Sequence, residues 1–174
     1  MLKQTAKSKY TIFIPSTNII FFLNSQIYYF SKFQLKIFAT NYTKMSADFP
    51  KLLSSMCYTQ NNVVTFDYVY FKKIANKETY DLITQVILYN IDTVLTQYEQ
   101  FDCYITLKMM TVGDVDKHMS FWIKLAGILK ERYQSQMAKC YIYDIPAFFA
   151  QCYKLVKCFI DKVTQEKIVF QPTT

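Results

Sequence analysis

Apolar side chains recur at three- and four-residue steps in three stretches of this chain, and short apolar or aromatic runs stand between them. From Glu78 to Tyr98, the residues Ile83, Val86, Ile87, Asn90, Val94 and Tyr98 share one face. Leu82, Ile91 and Leu95 widen it, which predicts a long helix packed on a sheet. Val115, Met119, Trp122, Ala126, Leu129 and Tyr133 form a second stripe, and Asp114 suits its N-cap. Phe149, Cys152, Val156, Phe159 and Ile160 form a third, with Lys154, Lys157 and Lys162 largely off it. Pro146 lacks an N–H and fits the first position of that helix. Val63–Phe66, Cys103–Met109, Lys139–Tyr143 and Ile168–Phe170 read as strands. Phe49–Met56 reads as a short helix, Asn61-Asn62 as a turn, Asp67–Ala75 as a turn with a short helical piece, and Thr164–Lys167 as a turn. The alternation of strand and helix predicts an α/β fold, a mostly parallel sheet with helices on its faces.

Composition narrows this picture. The chain has 174 residues, enough for one core, and 52% are hydrophobic. Gly113 and Gly127 are its only glycines, so a glycine-rich phosphate loop is excluded. The net charge of +7 is uneven: residues 1–44 hold six lysines and no acid, while the other 130 residues hold 14 basic and 13 acidic side chains. No RNA-binding aromatic motif, zinc-finger spacing or basic helix accompanies the lysines, so nucleic acid is not an expected partner.

Residues 1–44 are set apart as a basic, apolar leader, and the domain is placed at 45–174. Tyr10 to Ser31 is free of charge and long enough to span a bilayer, but Thr11, Asn18, Asn24 and Gln26 dilute it. A lysine-rich start before an apolar run suits a signal peptide or anchor, although no clean small-residue cleavage site follows. The lack of acids suits a mitochondrial presequence, although there is no Arg in the segment. Extra strand or helix material is a further reading. Met45-Ser46-Ala47-Asp48 resembles an ordinary protein start, and the leading reading is that residues 1–44 lie upstream of the native protein.

Little chemistry is expected. Nucleophilic catalysis by a Ser-His-Asp or Cys-His set needs a histidine base, and His118 is the only histidine, read as a surface residue early in its helix. Asp102, Asp114, Asp116 and Asp144 near strand ends are explained as caps and turns. The five cysteines contain no C-x-x-C spacing, and one histidine does not complete a zinc site, so they read as small core residues. The chain is expected to be no enzyme, with no cofactor and no metal.

Tyr133, Tyr141-Ile142-Tyr143, Pro146, Phe149, Lys154-Leu155-Val156-Lys157, Phe159, Asp161, Thr164 and Lys167-Ile168 stand in one characteristic order and spacing. That stretch resembles the C-terminal half of the CRAL-TRIO lipid-binding domain, the fold of phosphatidylinositol- and tocopherol-transfer proteins. Weaker likeness reaches back to about residue 62 through Asp81-Leu82-Ile83 and Ile105–Val115. The resemblance implies a CRAL-TRIO-like core, here without the N-terminal helical bundle and the C-terminal gate. It implies an apolar pocket for a lipid or other small hydrophobic ligand, lined by Tyr141, Tyr143, Phe149, Tyr153 and Phe159. Lys167 matches the lysine that meets an inositol phosphate in some members, and Lys157 is placed near the same anionic head. The family's turn proline and glutamate are Gln134 and Ser135 here, a departure at the phosphoinositide site. The implied protein is a cytoplasmic, non-enzymatic lipid carrier that touches membrane surfaces transiently. An ungated groove would also suit a homo-oligomer, and the alternative is a truncated scaffold that binds a protein or membrane without lipid.

Overall fold

A computed structural model describes residues 48–171 and, as strand backbone, residues 12–13, 19–23 and 26–30. The rest of the 1–44 leader, and residues 45–47 of the start suggested at Met45, lie outside the described residues. Two compact units divide the chain, Met1–Lys51 and Leu52–Thr174. In the first, β1 (Ile12–Phe13), β2 (Ile19–Leu23) and β3 (Gln26–Phe30) pair antiparallel in that order. β2 and β3 run in register from Ile19↔Phe30 to Leu23↔Gln26. Among the described residues, no helix is long and apolar enough to cross a membrane.

Helix α1 (Phe49–Met56) leads into the second unit, whose five-stranded sheet follows chain order, β4 to β8. β4 (Cys57–Gln60) and β5 (Val63–Asp67) form an antiparallel hairpin through Asn61-Asn62. Asn61 takes φ 55°, a left-handed conformation that asparagine tolerates better than most residues. β4 has a single fully buried residue, Cys57, and is held by pairing rather than by its own apolar pattern. β6 (Phe101–Thr106), β7 (Met137–Tyr143) and β8 (Ile168–Phe170) then add in parallel.

Each parallel step moves the same way across the sheet, and right-handed crossovers in one direction put their helices on one face. Those helices are α2 (Tyr68–Ile74) and α3 (Tyr80–Leu95) before β6, and α4 (Val112–Tyr133) before β7. α5 (Phe149–Val156), the 3-10 turn Lys157–Phe159 and α6 (Lys162–Lys167) precede β8. The fold is therefore the expected α/β layer, with α3 to α5 gathered over one face of the sheet.

Local chemistry sets the helix starts. Asp67 caps α2 by accepting from the Val69 N–H at 2.8 Å. α4 begins three residues earlier than its stripe suggests, because Thr111 is the N-cap and Asp114 closes a capping box from the N3 position. Lys72 pairs with Asp114 at 2.8 Å and ties α2 to that cap. Burial raises the Asp114 pKa, but hydrogen bonds from Lys72 and Thr111 outweigh this and lower it to about 2. Pro146 does not open α5; its carbonyl accepts from the Phe149 N–H at 2.8 Å in the turn before the helix. Thr164–Lys167, read as a turn, belongs to the helix Lys162–Lys167, which Asp161 caps through the Thr164 N–H at 2.9 Å.

The core has a tightly packed aromatic half. Phe71 meets Trp122 at a ring separation of 4.7 Å, Phe121 at 5.3 Å and Phe66 at 5.5 Å. His118 belongs to this cluster, which corrects its reading as a surface residue: it is 0% exposed, edge-on to Phe71 at 5.0 Å. Its Nδ1 shares a hydrogen bond with the Tyr80 hydroxyl at 2.8 Å. The polar face expected there is covered by α2 and α3, which supply Phe71 and Tyr80.

Candidate functional site

The other half of the core is not filled. A partly enclosed cavity of about 280 Å³ lies between the sheet and its helices. Its floor is Cys103 and Ile105 of β6 with Cys140 and Ile142 of β7. These side chains share a face because strand residues alternate and the two strands pair Cys103↔Cys140 and Ile105↔Ile142. Ile87 and Ile91 of α3 and Leu125, Ala126 and Leu129 of α4 form walls. Phe149, Cys152 and Tyr153 of α5 complete them. Phe149 and Tyr153 stack at 6.2 Å, and Phe170 meets Tyr153 edge-on at 4.9 Å.

Four of the five cysteines line this space: Cys57, Cys103, Cys140 and Cys152. Burial pushes the Cys57 thiol up to about 12. The Cys103 thiol, hydrogen-bonded to Cys140 and removed from bulk water, is also raised. Cys103 keeps partial accessibility because it faces the cavity. Held protonated, Cys57 and Cys103 are apolar lining rather than nucleophiles or metal ligands.

Polar groups gather at one end, where Lys130, Gln134, Asp161 and Thr164 enter the lining. Asp161 accepts from Gln134 Nε2 at 2.7 Å and from the Thr164 N–H at 2.9 Å on Oδ1, and from Thr164 Oγ1 at 2.7 Å on Oδ2. The hydrogen bonds from Thr164 lead in holding its carboxyl below the usual range.

Of the residues singled out from the sequence, Phe149 and Tyr153 line the cavity. Tyr141 and Tyr143 alternate with Cys140 and Ile142 and so point from the opposite face of the sheet. There they contact Tyr104 at 5.2 and 5.6 Å. Lys157 is exposed on the 3-10 turn, outside the lining. The side chain of Phe159 lies outside the described residues. Lys167 also stands outside the lining. Its Nζ donates to the Gln134 and Met137 carbonyls, both at 2.7 Å, closing the α4–β7 turn. Sequence reasoning missed Gln134, Thr164 and the thiols as lining. The Asp161-x-x-Thr164 spacing, a helix-cap signature, was the available signal for the polar end.

A mostly apolar cavity between a parallel sheet and its crossover helices, with polar groups at one end, defines an α/β small-molecule-binding domain. Residues 53–174 match the model of the CRAL/TRIO domain, and the chain belongs to that family, whose members bind lipophilic ligands. The structure is similar to the crystal structure of Sfh5, with a TM-score of 0.58 and 18% sequence identity. That likeness covers 66% of this chain and 46% of the Sfh5 chain, so this chain spans less than half of that protein's length. At such identity the likeness speaks to the fold alone. No curated protein matches the sequence.

Proposed function

We propose that this domain holds a lipid or other small hydrophobic molecule in the cavity between sheet and helices and carries it unchanged, releasing it at membrane surfaces. The observation that carries the reading is the 280 Å³ space itself, apolar and reached by small side chains such as Ala126, Cys140 and Cys152. It falls near the lower end of ligand-site volumes, roughly 300–1,000 Å³. Carriage rather than reaction is supported by Cys57 and Cys103, whose thiols are held protonated. Phe149 and Tyr153 supply the aromatic contact; Tyr141, Tyr143, Lys157 and Lys167 are given no ligand contact in this reading.

The test is uptake of the neutral fluorophore N-phenyl-1-naphthylamine by the full chain, followed by native mass spectrometry after incubation with liposomes. Wild-type protein is expected to take up the fluorophore. Ala126→Leu and Cys140→Leu, which fill the space, are expected to lose uptake while keeping or raising the melting temperature. Uptake unchanged in both filled variants, or no uptake by the wild type, overturns the proposal.

A further inference from the structure

We infer that His118 is an acid trigger for ligand release: while its ring is neutral, α2 and α3 stay closed on α4 beside the cavity, and protonation of the ring parts them and frees the ligand. The inference rests on the ligand-binding reading above and adds how release is controlled.

The surroundings of the ring suit only its neutral form. His118 is wholly buried, with Phe71 of α2 edge-on at 5.0 Å and Tyr80 of α3 edge-on at 5.9 Å. Its Nδ1 is joined to the Tyr80 hydroxyl at 2.8 Å. Its Nε2 is buried and, among the described residues, has no hydrogen-bond partner. An imidazolium carries an N–H on both nitrogens. In the closed packing the Nε2 proton has no acceptor, and the new charge has no water. The groups around the ring do not compensate. Lys117 on α4 and Lys72 on α2 oppose a positive charge there. Tyr68 on α2 and Tyr80 on α3 have pKa values raised above 10 and add no charge. Asp114 on α4 favours the charged ring, but its Oδ2 is held by Lys72 Nζ and Thr111 Oγ1, both at 2.8 Å. Burial leads, and the ring resists its proton. Water entering between α4 and the two helices on it relieves the charged ring.

One side chain links the ring to the cavity. Phe71 lies between His118 at 5.0 Å and two lining residues, Trp122 at 4.7 Å and Phe66 at 5.5 Å. A shift of α2 that admits water to the ring withdraws Phe71 from behind both, so that side of the cavity loses its support. The size of the effect follows from linkage. An open form with an ordinary ring pKa of about 6.5 gains on a closed form that resists protonation by about tenfold at pH 5.5 and hardly at all at pH 7.5. A release rate that follows the open fraction rises by up to the same factor.

The test loads the full chain with N-phenyl-1-naphthylamine and mixes it with phosphatidylcholine vesicles in such excess that the rate no longer depends on them. Recovery of Trp122 fluorescence, quenched by energy transfer to the bound fluorophore, reads release at pH 7.5 and 5.5. Release is expected to be severalfold faster at pH 5.5, with unchanged far-UV circular dichroism. His118→Phe and His118→Gln, which do not titrate there, should release at one rate at both pH values. A second measurement needs no variant. His118 is the only histidine, so its ring C2–H resonance can be followed alone. Saturating fluorophore should lower its titration midpoint, because coupling between two sites is reciprocal. Equal wild-type rates at the two pH values, a midpoint that the fluorophore does not move, or a rate difference that persists in a folded variant overturns the trigger. Loss of the far-UV signal at pH 5.5 overturns it too, since the whole domain then unfolds rather than its helices parting. Failure of the fluorophore to enter at pH 7.5 overturns the ligand-binding reading and this inference with it.

Discussion

Lys167→Met separates two roles for one side chain. If Lys167 served a ligand head, its loss would weaken binding and leave the fold alone. The structure ties it instead to the Gln134 and Met137 carbonyls at 2.7 Å each, on the turn where α4 ends and β7 begins. Gln134 is the C-cap of α4, so the ammonium also faces the negative end of a 22-residue helix. A hydrogen bond from a charged donor contributes about 1.5–3 kcal/mol when buried. Lys167 is only half-buried, and water can replace part of each bond. About 1 kcal/mol per bond is then reasonable, with roughly 0.5 kcal/mol more from the helix end. The expected loss is about 2.5 kcal/mol. Divided by a urea m-value of about 1.5 kcal/mol/M, this lowers the unfolding midpoint by roughly 1.7 M with m unchanged. Trp122 is the only tryptophan and sits against Phe66, Phe71 and Phe121, so its fluorescence reports this unit. Lys162→Met is the control, because Lys162 is exposed at the first turn of α6, and its midpoint should stay in place. An unshifted midpoint for Lys167→Met together with lost ligand uptake would refute the structural role and return the lysine to the head group.

Two pH effects and one cap follow from the same packing. Burial first, and Lys117 and Lys72 after it, lower the His118 pKa below 6.5, while Asp114 pulls the other way. The unfolded chain therefore binds a proton that the folded chain refuses. Stability should be flat above about 6.5 and fall as pH drops through 6.5 toward the lowered value; urea midpoints between pH 7.5 and 5.5 measure this, and His118→Phe should flatten the slope. Asp114 is lowered from 3.8 to about 2, so its contribution is present above 3.8 and is lost as pH falls through about 2. Asp114→Ala should cost about 2 kcal/mol at neutral pH, read as a lower urea midpoint, by opening the capping box and stranding Lys72.

The α/β order was legible because α3, α4 and β5 to β8 carry their own periodicity. What the sequence hid follows from physics outside local pattern. β4 has two polar residues in four and exists because Cys57↔Phe66 and its neighbours pair with β5. α6 has no buried residue and therefore no apolar stripe, so only its Asp161 cap marks it. His118 seemed a surface residue because it lies off the apolar stripe of its own helix, yet Phe71 and Tyr80 from two other helices cover it. Alternation told that Tyr141 and Ile142 face opposite ways, but which face is roofed depends on the crossover hand and on the Cys103 and Ile105 partners. The cavity was the least legible feature, since a space is defined by atoms that are missing between distant residues.

The cost of that space bears on why it is kept. Cavities in protein cores cost about 24 cal/mol per Å³, so 280 Å³ amounts to at most about 7 kcal/mol. The open side reduces this, but it remains comparable to the net stability of a small domain, about 5–15 kcal/mol. Leucine or phenylalanine at Ala126, Cys140 or Cys152 would recover part of it, and the chain uses those residue types freely elsewhere, with 15 phenylalanines. General looseness is not the cause, because Phe71, Phe121 and Trp122 pack at ring separations of 4.7 to 5.3 Å under the same helix. Ala126, Cys140 and Cys152 come from three elements, α4, β7 and α5, yet face one volume. A deficit that local, beside a core that tight, is what a stability–function trade-off produces when a ligand supplies the missing contacts. Bound ligand should then raise the unfolding midpoint of the wild type and leave the filled variants Ala126→Leu and Cys140→Leu unmoved.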